Sequence, residues 1–122
     1  MLHRSLELAE ARPGVSDPEM ARLLTGLTEL SARTGRFEEG ERFCRRAQEA
    51  EERIRQWGGD PQLYVADRLK AEALLQAGQG RRGTAEELYR QALAIYEKAL
   101  GPEHAEATRV RESLSTLPKG RT

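Results

Sequence analysis

The sequence predicts an all-α protein built from stacked antiparallel helix pairs, on two observations. The chain is rich in Ala, Leu, Glu and Arg, and only 5% of its 122 residues are aromatic, a composition that favours helices over strands. It also repeats itself: Asp17-Pro18 opens one apolar-periodic segment, Asp60-Pro61 opens a second 43 residues later, and Pro102 opens a third at about the same interval. Self-similarity at this spacing indicates stacked supersecondary units, which present a surface.

The first two helices follow from apolar periodicity and from signals at their ends. Residues 2–11 predict a short partial helix, because leucine and alanine side chains share one face and Pro-Gly follows. The second helix can be capped by Ser16 or by the aspartate after it. Pro18 suits its first turn, and Glu19 completes a Ser-x-x-Glu capping box. Its apolar stripe runs to Gly35.

The next two helices repeat this order. Phe37 to Trp57 predicts a long helix with Trp57 facing inward, stopped at Gly58-Gly59. Asp60 then caps a fourth helix, which the following proline starts. This helix runs to a glycine-rich turn at residues 78–83, two residues later than the first unit predicts, so we expect a lengthened turn there.

Two more helices complete the prediction of about six. Thr84 and Glu87 predict a capping box for the fifth, which ends at Gly101-Pro102, and the sixth runs from Glu103 to Leu117. We expect one domain over residues 1–117, made of a partial helix at 2–11, repeats at 17–58 and 60–101 and a half repeat at 103–117, followed by a disordered tail at 118–122.

Residues of both full units resemble the tetratricopeptide repeat in its longer, kinesin-light-chain variety. The resemblance lies in Gly35-Arg-Phe-Glu-Glu-Gly40 leading into Phe43-Cys44-Arg-Arg-Ala47, and in the run from Ala85 to His104. It implies a right-handed superhelix whose leading helices line a concave, peptide-binding groove, and a structural role for His104 at a helix start. The family's usual paired asparagines are Thr25 and Gly26 here, so their role of clamping a peptide backbone does not carry over.

Composition narrows the class of function. Twenty basic and twenty acidic residues give zero formal charge, which argues against nucleic-acid or membrane-surface partners. The single cysteine excludes an internal disulfide, and no apolar run reaches the ~18 residues that span a bilayer. Charged residues at Arg4, Glu7 and Glu10 interrupt any signal peptide. We therefore expect a cytoplasmic protein.

The remaining motifs favour structural roles over chemistry. Gly78-Gln-Gly-Arg-Arg-Gly83 spells the dinucleotide fingerprint, but a helical segment precedes it instead of the required strand. Cys44 is expected to be a small core thiol, since a reactive one needs exposure and a nearby cation. Trp57 and Tyr64 flank one connection, where they either pack between repeats or form a contact hot spot. Neither histidine has metal-ligand spacing, so we expect no cofactor, metal or catalytic residue.

The sequence thus predicts a non-catalytic scaffold or adaptor that binds a protein or peptide partner. The polar groove positions counted along the leading helices are Arg22, Thr25, Glu29 and Arg33 in the first, Arg68, Glu72 and Gln76 in the second, and Arg109 and Glu112 in the third. One alternative is self-association through terminal apolar residues, namely Leu2, Leu6, Leu8, Val110, Leu114 and Leu117. Another is nucleotide or anion binding at the Gly78–Gly83 turn, beside a helix N-terminus.

Overall fold

The computed structural model describes residues 16–117. The partial helix expected at 2–11 and the tail expected at 118–122 lie outside the described residues. Across residues 16–117 the chain forms only α-helices, which confirms the predicted all-α class. They are α1 (Asp17–Arg33), α2 (Phe37–Gln56), α3 (Gln62–Gly78), α4 (Arg82–Leu100) and α5 (Ala105–Thr116).

The helices stack as pairs, with α1 packed on α2 and α3 on α4. The pairs join where α3 packs against both α1 and α2, and α5 packs on α4. One apolar core fills the first pair, with Leu24, Phe43 and Ile54 at most 2% exposed. A second core joins α3, α4 and α5 around Tyr96 and Val110. Each pair therefore buries its apolar faces against its own partner helix and against its neighbour in the stack.

Three of the five described helices have a side chain that accepts a hydrogen bond from a backbone amide at the helix N-terminus. The Ser16 Oγ accepts a 3.2 Å hydrogen bond from the Glu19 amide, as the capping box predicted. The Ser16 hydroxyl also donates a 3.1 Å hydrogen bond to the Glu19 carboxylate. Asp60 Oδ1 accepts from the amide of Gln62 at 3.0 Å, so it caps α3 although that helix begins one residue later than expected. His104 Nδ1 accepts from the Glu106 amide at 3.2 Å, which confirms its structural role.

Two local expectations are wrong. Thr84 does not cap α4, because the helix already begins at Arg82 and Thr84 lies within its first turn. Trp57 does not face inward: α2 ends at Gln56, and the Trp57 side chain follows the last helical turn with 60% of its surface exposed. In both cases the helix boundary lies one or more residues before the predicted one, which turns the side chain away from the expected position.

The spacing between the two full pairs is 45 residues rather than 43. Helix α3 starts and ends 45 residues after α1, and α4 starts 45 residues after α2. The Asp-Pro pair is inside α1 at its first two positions but lies before the first residue of α3. The turn between α3 and α4 consequently holds three residues, as does the turn between α1 and α2, so the expected lengthened turn is wrong.

A glycine sets the close approach of the two pairs. A Cβ on Gly40 of α2 would lie 2.5 Å from Leu75 Cδ1 of α3 and 3.3 Å from Ser31 Cβ of α1. A methyl group at this position would push the Leu75 side chain aside and crowd Ser31, so the glycine favours the close packing of these three helices. This contact fixes α3 against the first pair, which in turn places the polar face of α3 beside that of α1.

Candidate partner-binding groove

The helices α1, α3 and α5 lie side by side with their N-terminal halves together and line an open groove on one face of the stack. The half of the groove near their N-termini has a volume of about 430 Å³. Helix α4, behind them, adds two side chains to it. The lining residues are Arg22, Thr25, Gly26, Glu29, Leu63, Asp67, Lys70, Tyr96, Leu100 and Glu106.

The half near the C-termini of the same helices has a volume of about 470 Å³. Its lining residues are Glu29, Arg33, Lys70, Leu74, Tyr89, Arg109, Glu112, Ser113 and Thr116. Glu29 and Lys70 line both halves, so the groove is continuous along the three helices.

Six of the nine residues that the sequence predicted for a groove line this one. They are Arg22, Thr25, Glu29, Arg33, Arg109 and Glu112. All six lie on α1 or α5. The three predicted from α3, namely Arg68, Glu72 and Gln76, lie on a different face of that helix.

Arg68 and Glu72 pack toward α2 instead of facing the groove. Only 8% of the Arg68 surface is exposed, and its Nε donates to both carboxylate oxygens of Glu51 at 2.8 and 3.1 Å. Its Nη1 donates to Glu72 at 2.9 Å, and Glu72 also accepts a 3.4 Å contact from the Cys44 thiol. Glu72 and Gln76 line a separate cleft of about 280 Å³ against α2. These three residues were predicted from a spacing of 43 residues between the units, whereas α3 follows α1 by 45 residues. The groove positions of α3 therefore lie two residues further along the helix than predicted.

The spacing of 45 residues identifies the residues of α3 that do line the groove and that the sequence did not predict. Asp67, Lys70 and Leu74 lie 45 residues after Arg22, Thr25 and Glu29, and all three line the groove. The signal was present in the sequence, because Leu69 to Gly80 has the same length as Leu24 to Gly35. No local pattern, however, indicated that Tyr89 and Tyr96 would reach the groove from the helix behind it.

Ion pairs connect the groove residues of neighbouring helices. Lys70 Nζ on α3 lies 3.0 Å from Glu106 on α5, and Arg109 Nη1 lies 2.9 Å from the other oxygen of the same carboxylate. The hydrogen bond from Lys70, together with the charges of Lys70 and Arg109, lowers the pKa of Glu106. Lys70 also lies 5.8 Å from the centre of the Tyr96 ring. This network ties α5 to α3 across the groove.

Two charged groups of the groove have only a hydroxyl as their hydrogen-bond partner within residues 16–117. The Arg22 guanidinium donates to the Tyr64 hydroxyl at 3.4 Å and lies 5.8 Å from its ring centre. The hydrogen bond with Tyr64, followed by the charges of Glu19 and Asp67, raises the pKa of Arg22. The Asp67 carboxylate accepts a hydrogen bond from Tyr96, whose pKa is raised by burial and by this contact.

The two aromatic residues at the connection between α2 and α3 have different environments. Tyr64 is partly buried against the core of the first pair, so it packs between repeats. Trp57 is mostly exposed and contacts Gly59, where a Cβ would lie 2.8 Å from the indole ring. Of the two alternatives, packing between repeats therefore applies to Tyr64 but not to Trp57.

The glycine-rich turn and Cys44, which were considered for a chemical function, both lie in environments typical of structural residues. The Gly78–Gly83 segment joins two helices, and no strand occurs between residues 16 and 117, whereas the dinucleotide fingerprint needs one. Burial, aided by the charge of Glu72, raises the pKa of the Cys44 thiol to about 12, which places it in the buried, unreactive class. The described part of the chain holds no cluster of three His, Cys, Asp or Glu side chains that could bind a metal.

The C-terminal residues proposed for self-association are packed inside the stack. Val110 and Leu117 are at most 9% exposed, and Leu114 is partly buried against the second core. The exposed residues of α5 are polar or small. Leu2, Leu6 and Leu8 lie outside the described residues. In the portion that the structure describes, no helix is both long and apolar enough to cross a membrane.

Comparison with known proteins identifies the repeat itself. Residues 71–106 match the family model described as tetratricopeptide repeat. These residues cover the second half of α3, all of α4 and the start of α5, and the kinesin-light-chain-like variety is consistent with the match. No curated protein and no solved structure matches the chain. The match shows that residues 71–106 contain a tetratricopeptide repeat within this stack of paired helices.

Proposed function

We propose that this chain is a non-catalytic scaffold that binds a peptide or helix of a partner protein in the groove between α1, α3 and α5. Tetratricopeptide repeats are generally protein–protein interaction modules and typically lack catalytic activity. The observation that carries the proposal is the groove, which is continuous along three helices and is lined by side chains with hydrogen-bonding and apolar parts.

The charges of the groove favour a partner segment of mixed character. Four cationic and four anionic side chains line its two halves, namely Arg22, Arg33, Lys70 and Arg109 with Glu29, Asp67, Glu106 and Glu112. Several of them already pair with each other, for example Arg33 with Glu29 at 3.0 Å. A partner with strong charge of one sign would meet repulsion as well as attraction here. The groove therefore suits a segment with small or balanced charge.

An affinity pull-down from cell extract tests the proposal. The wild type is compared with an Arg22→Glu, Arg33→Glu variant, which reverses one charge in each half of the groove. We expect the variant to lose a partner that the wild type retains, because like charges would replace favourable contacts. The matched control is an Arg42→Glu, Arg90→Glu variant, since both arginines are exposed and lie outside the groove. A partner retained equally by all three proteins would show that the groove is not the binding site.

A further inference from the structure

Gly26 lies in the middle of a helix, and no contact within residues 16–117 requires a glycine there. It lies within α1 in the ordinary helical backbone region, since it is not among the glycines with positive φ. A Cβ at this position would meet no atom of residues 16–117 within 4 Å, so the packing of that part of the protein does not require its absence. Glycine in a helix interior destabilises that helix. The space above Gly26 is therefore available to something outside the described chain.

This space opens into the groove beside one exposed apolar side chain, that of Leu63. Gly26 lines the N-terminal half of the groove with Leu63, Tyr96 and Leu100. Leu63 is 40% exposed, and it is one of three large apolar residues with so much exposed surface in the described part of the chain. Exposed apolar surface inside a concave site, instead of on an outer helix face, marks a contact that a partner covers.

The rim of the same space offers one donor and one acceptor of opposite charge. Arg22 on α1 and Asp67 on α3 both line it, and neither forms an ion pair within residues 16–117. A guanidinium donates to a carbonyl oxygen, and a carboxylate accepts from an amide N–H. Because the two charges offset each other, the rim complements the neutral backbone of an extended peptide rather than a charged side chain.

We propose that Gly26, Leu63 and Leu100 form a subsite for one bulky, uncharged apolar side chain of an extended partner segment, whose backbone Arg22 and Asp67 hold. This inference rests on the proposed function and names the chemistry of the ligand. The side chain enters above the glycine and covers the exposed Leu63 and the partly buried Leu100. Arg22 then donates to a backbone carbonyl, and Asp67 accepts from a backbone amide. Lys70 and Glu106 stay paired with each other at the far side of the subsite.

Selection from a random linear peptide library displayed on phage, with the full 122-residue chain as bait, tests the subsite. We expect the enriched peptides to share one bulky apolar residue at a fixed position. Replacing that residue by alanine in a synthetic peptide should weaken binding by about tenfold or more, as measured by calorimetry. A consensus made only of charged residues would overturn the proposal.

A pair of matched variants locates the subsite on the protein. Gly26→Gln fills the space above α1, whereas Gly83→Gln alters a second exposed helical glycine, also without neighbours within 4 Å of a Cβ and outside the groove. Both variants should keep or raise the melting temperature, by about 3 °C for Gly26→Gln. Only Gly26→Gln should weaken the selected peptide, by about tenfold. Loss of binding in a protein that is at least as stable cannot come from misfolding.

The outcomes separate this subsite from the proposed function. If Arg22→Glu, Arg33→Glu abolishes peptide binding while Gly26→Gln leaves it unchanged, the groove is the site but the subsite inference is wrong. If Gly26→Gln and Gly83→Gln weaken the peptide equally, the inference is also overturned. If the library yields no binding peptide, both the subsite and the binding of linear peptides by the groove are rejected.

Discussion

At the scale of single residues, Arg68 has the most unexpected environment. Its guanidinium lies between Glu51 of α2 and Glu72 of its own helix, with side-chain exposures of 9% for Arg68 and 5% for Glu51. Burial raises the pKa of Glu51 although Arg68 opposes this. Burial alone would lower the pKa of Arg68, but the hydrogen bonds and charge of Glu51 outweigh it and raise the pKa. This pair joins α2 to α3 and takes no part in the groove.

We predict that Arg68→Met lowers the free energy of unfolding at pH 7 by about 3 kcal/mol, because it leaves the Glu51 carboxylate buried without its cation. The pKa of Glu51 is raised in the folded state, so folding favours its protonated form. The stability linked to this group is therefore present below its unfolded pKa and is lost as the pH rises through the folded pKa. The penalty of the variant should shrink between pH 7 and pH 5 in urea denaturation.

The double variant Glu51→Gln, Arg68→Met is the control, since it removes the buried charge together with its partner. We expect it to regain a large part of the loss and to show little change of the penalty over the same pH range. An Arg68→Met penalty that stays constant from pH 7 to pH 5 would contradict the role given to Glu51.

We expect the Cys44 thiol to be unreactive toward thiol reagents in the folded protein. Its side chain is buried, and burial raises the pKa of its thiol to about 12, so almost no thiolate forms at pH 8. We predict that Ellman's reagent reacts at least about 100-fold more slowly with the folded chain than with the chain in urea. A Cys44→Ala, Gln48→Cys protein is the control, because position 48 is exposed. If Cys44 in the wild type reacts as fast as the thiol introduced at position 48, then Cys44 is accessible.

At the scale of helices, the hydrogen bonds that cap the helix ends differ from one helix to the next. Ser16 caps α1 through its side chain, whereas α4 begins after Arg81 without a side-chain cap. The chain reverses after α1 and α3 at glycines of positive φ, with values of 75° for Gly35 and 80° for Gly80. Other residues rarely adopt this conformation, so these glycines define where each turn forms.

We predict that Ser16→Ala lowers the free energy of unfolding by about 1 kcal/mol, because it removes the acceptor for the Glu19 amide at the start of α1. Thr84→Ala should cause no loss, since Thr84 is exposed inside α4 and alanine has the higher helix propensity. Urea denaturation of the two variants and the wild type measures both effects. If Thr84→Ala costs as much as Ser16→Ala, then Thr84 caps α4 after all.

At the scale of the whole molecule, the groove depends on how α5 is held against the rest. Val110 of α5 and Leu117, directly after the helix, pack into the second core. The polar side of α5 is joined to α3 by the ion pair between Lys70 and Glu106. The Lys70 hydrogen bond lowers the pKa of Glu106 below its ordinary value. This contact contributes stability above the unfolded pKa of Glu106, and the contribution is lost as the pH falls through the folded pKa.

We therefore predict that α5 loosens at acid pH before the first helix pair does. Protection factors from amide hydrogen exchange should fall selectively in α5 as the pH drops from 6 to 3.5. Glu106→Gln should lower them about threefold at pH 6, since a partly exposed ion pair contributes less than about 1 kcal/mol. Glu112→Gln is the control on the same helix, because the Glu112 carboxylate forms no ion pair in the described chain. Equal effects of the two variants would show that the pair with Lys70 does not hold α5.

The sequence by itself determined the fold class, the pairing of helices and six of the residues of α1 and α5 that line the groove. These follow from local signals, namely apolar periodicity, caps such as Ser16 and His104, and glycines that end helices, because each acts over a few residues of one chain segment. The family resemblance agreed with them, and the match over residues 71–106 confirms it.

Only the tertiary structure decided which face of α3 meets the groove. The Asp-Pro signal occurs in both units, but it lies inside α1 and before α3, so counting from it shifts every side chain of α3 by two positions. A shift of two residues rotates a helical side chain by about 200°, which moves Arg68 from the groove to the buried interface with α2. The packing at Gly40 and the burial of Arg68 against Glu51 select the true register, because those contacts join residues that are distant in the sequence.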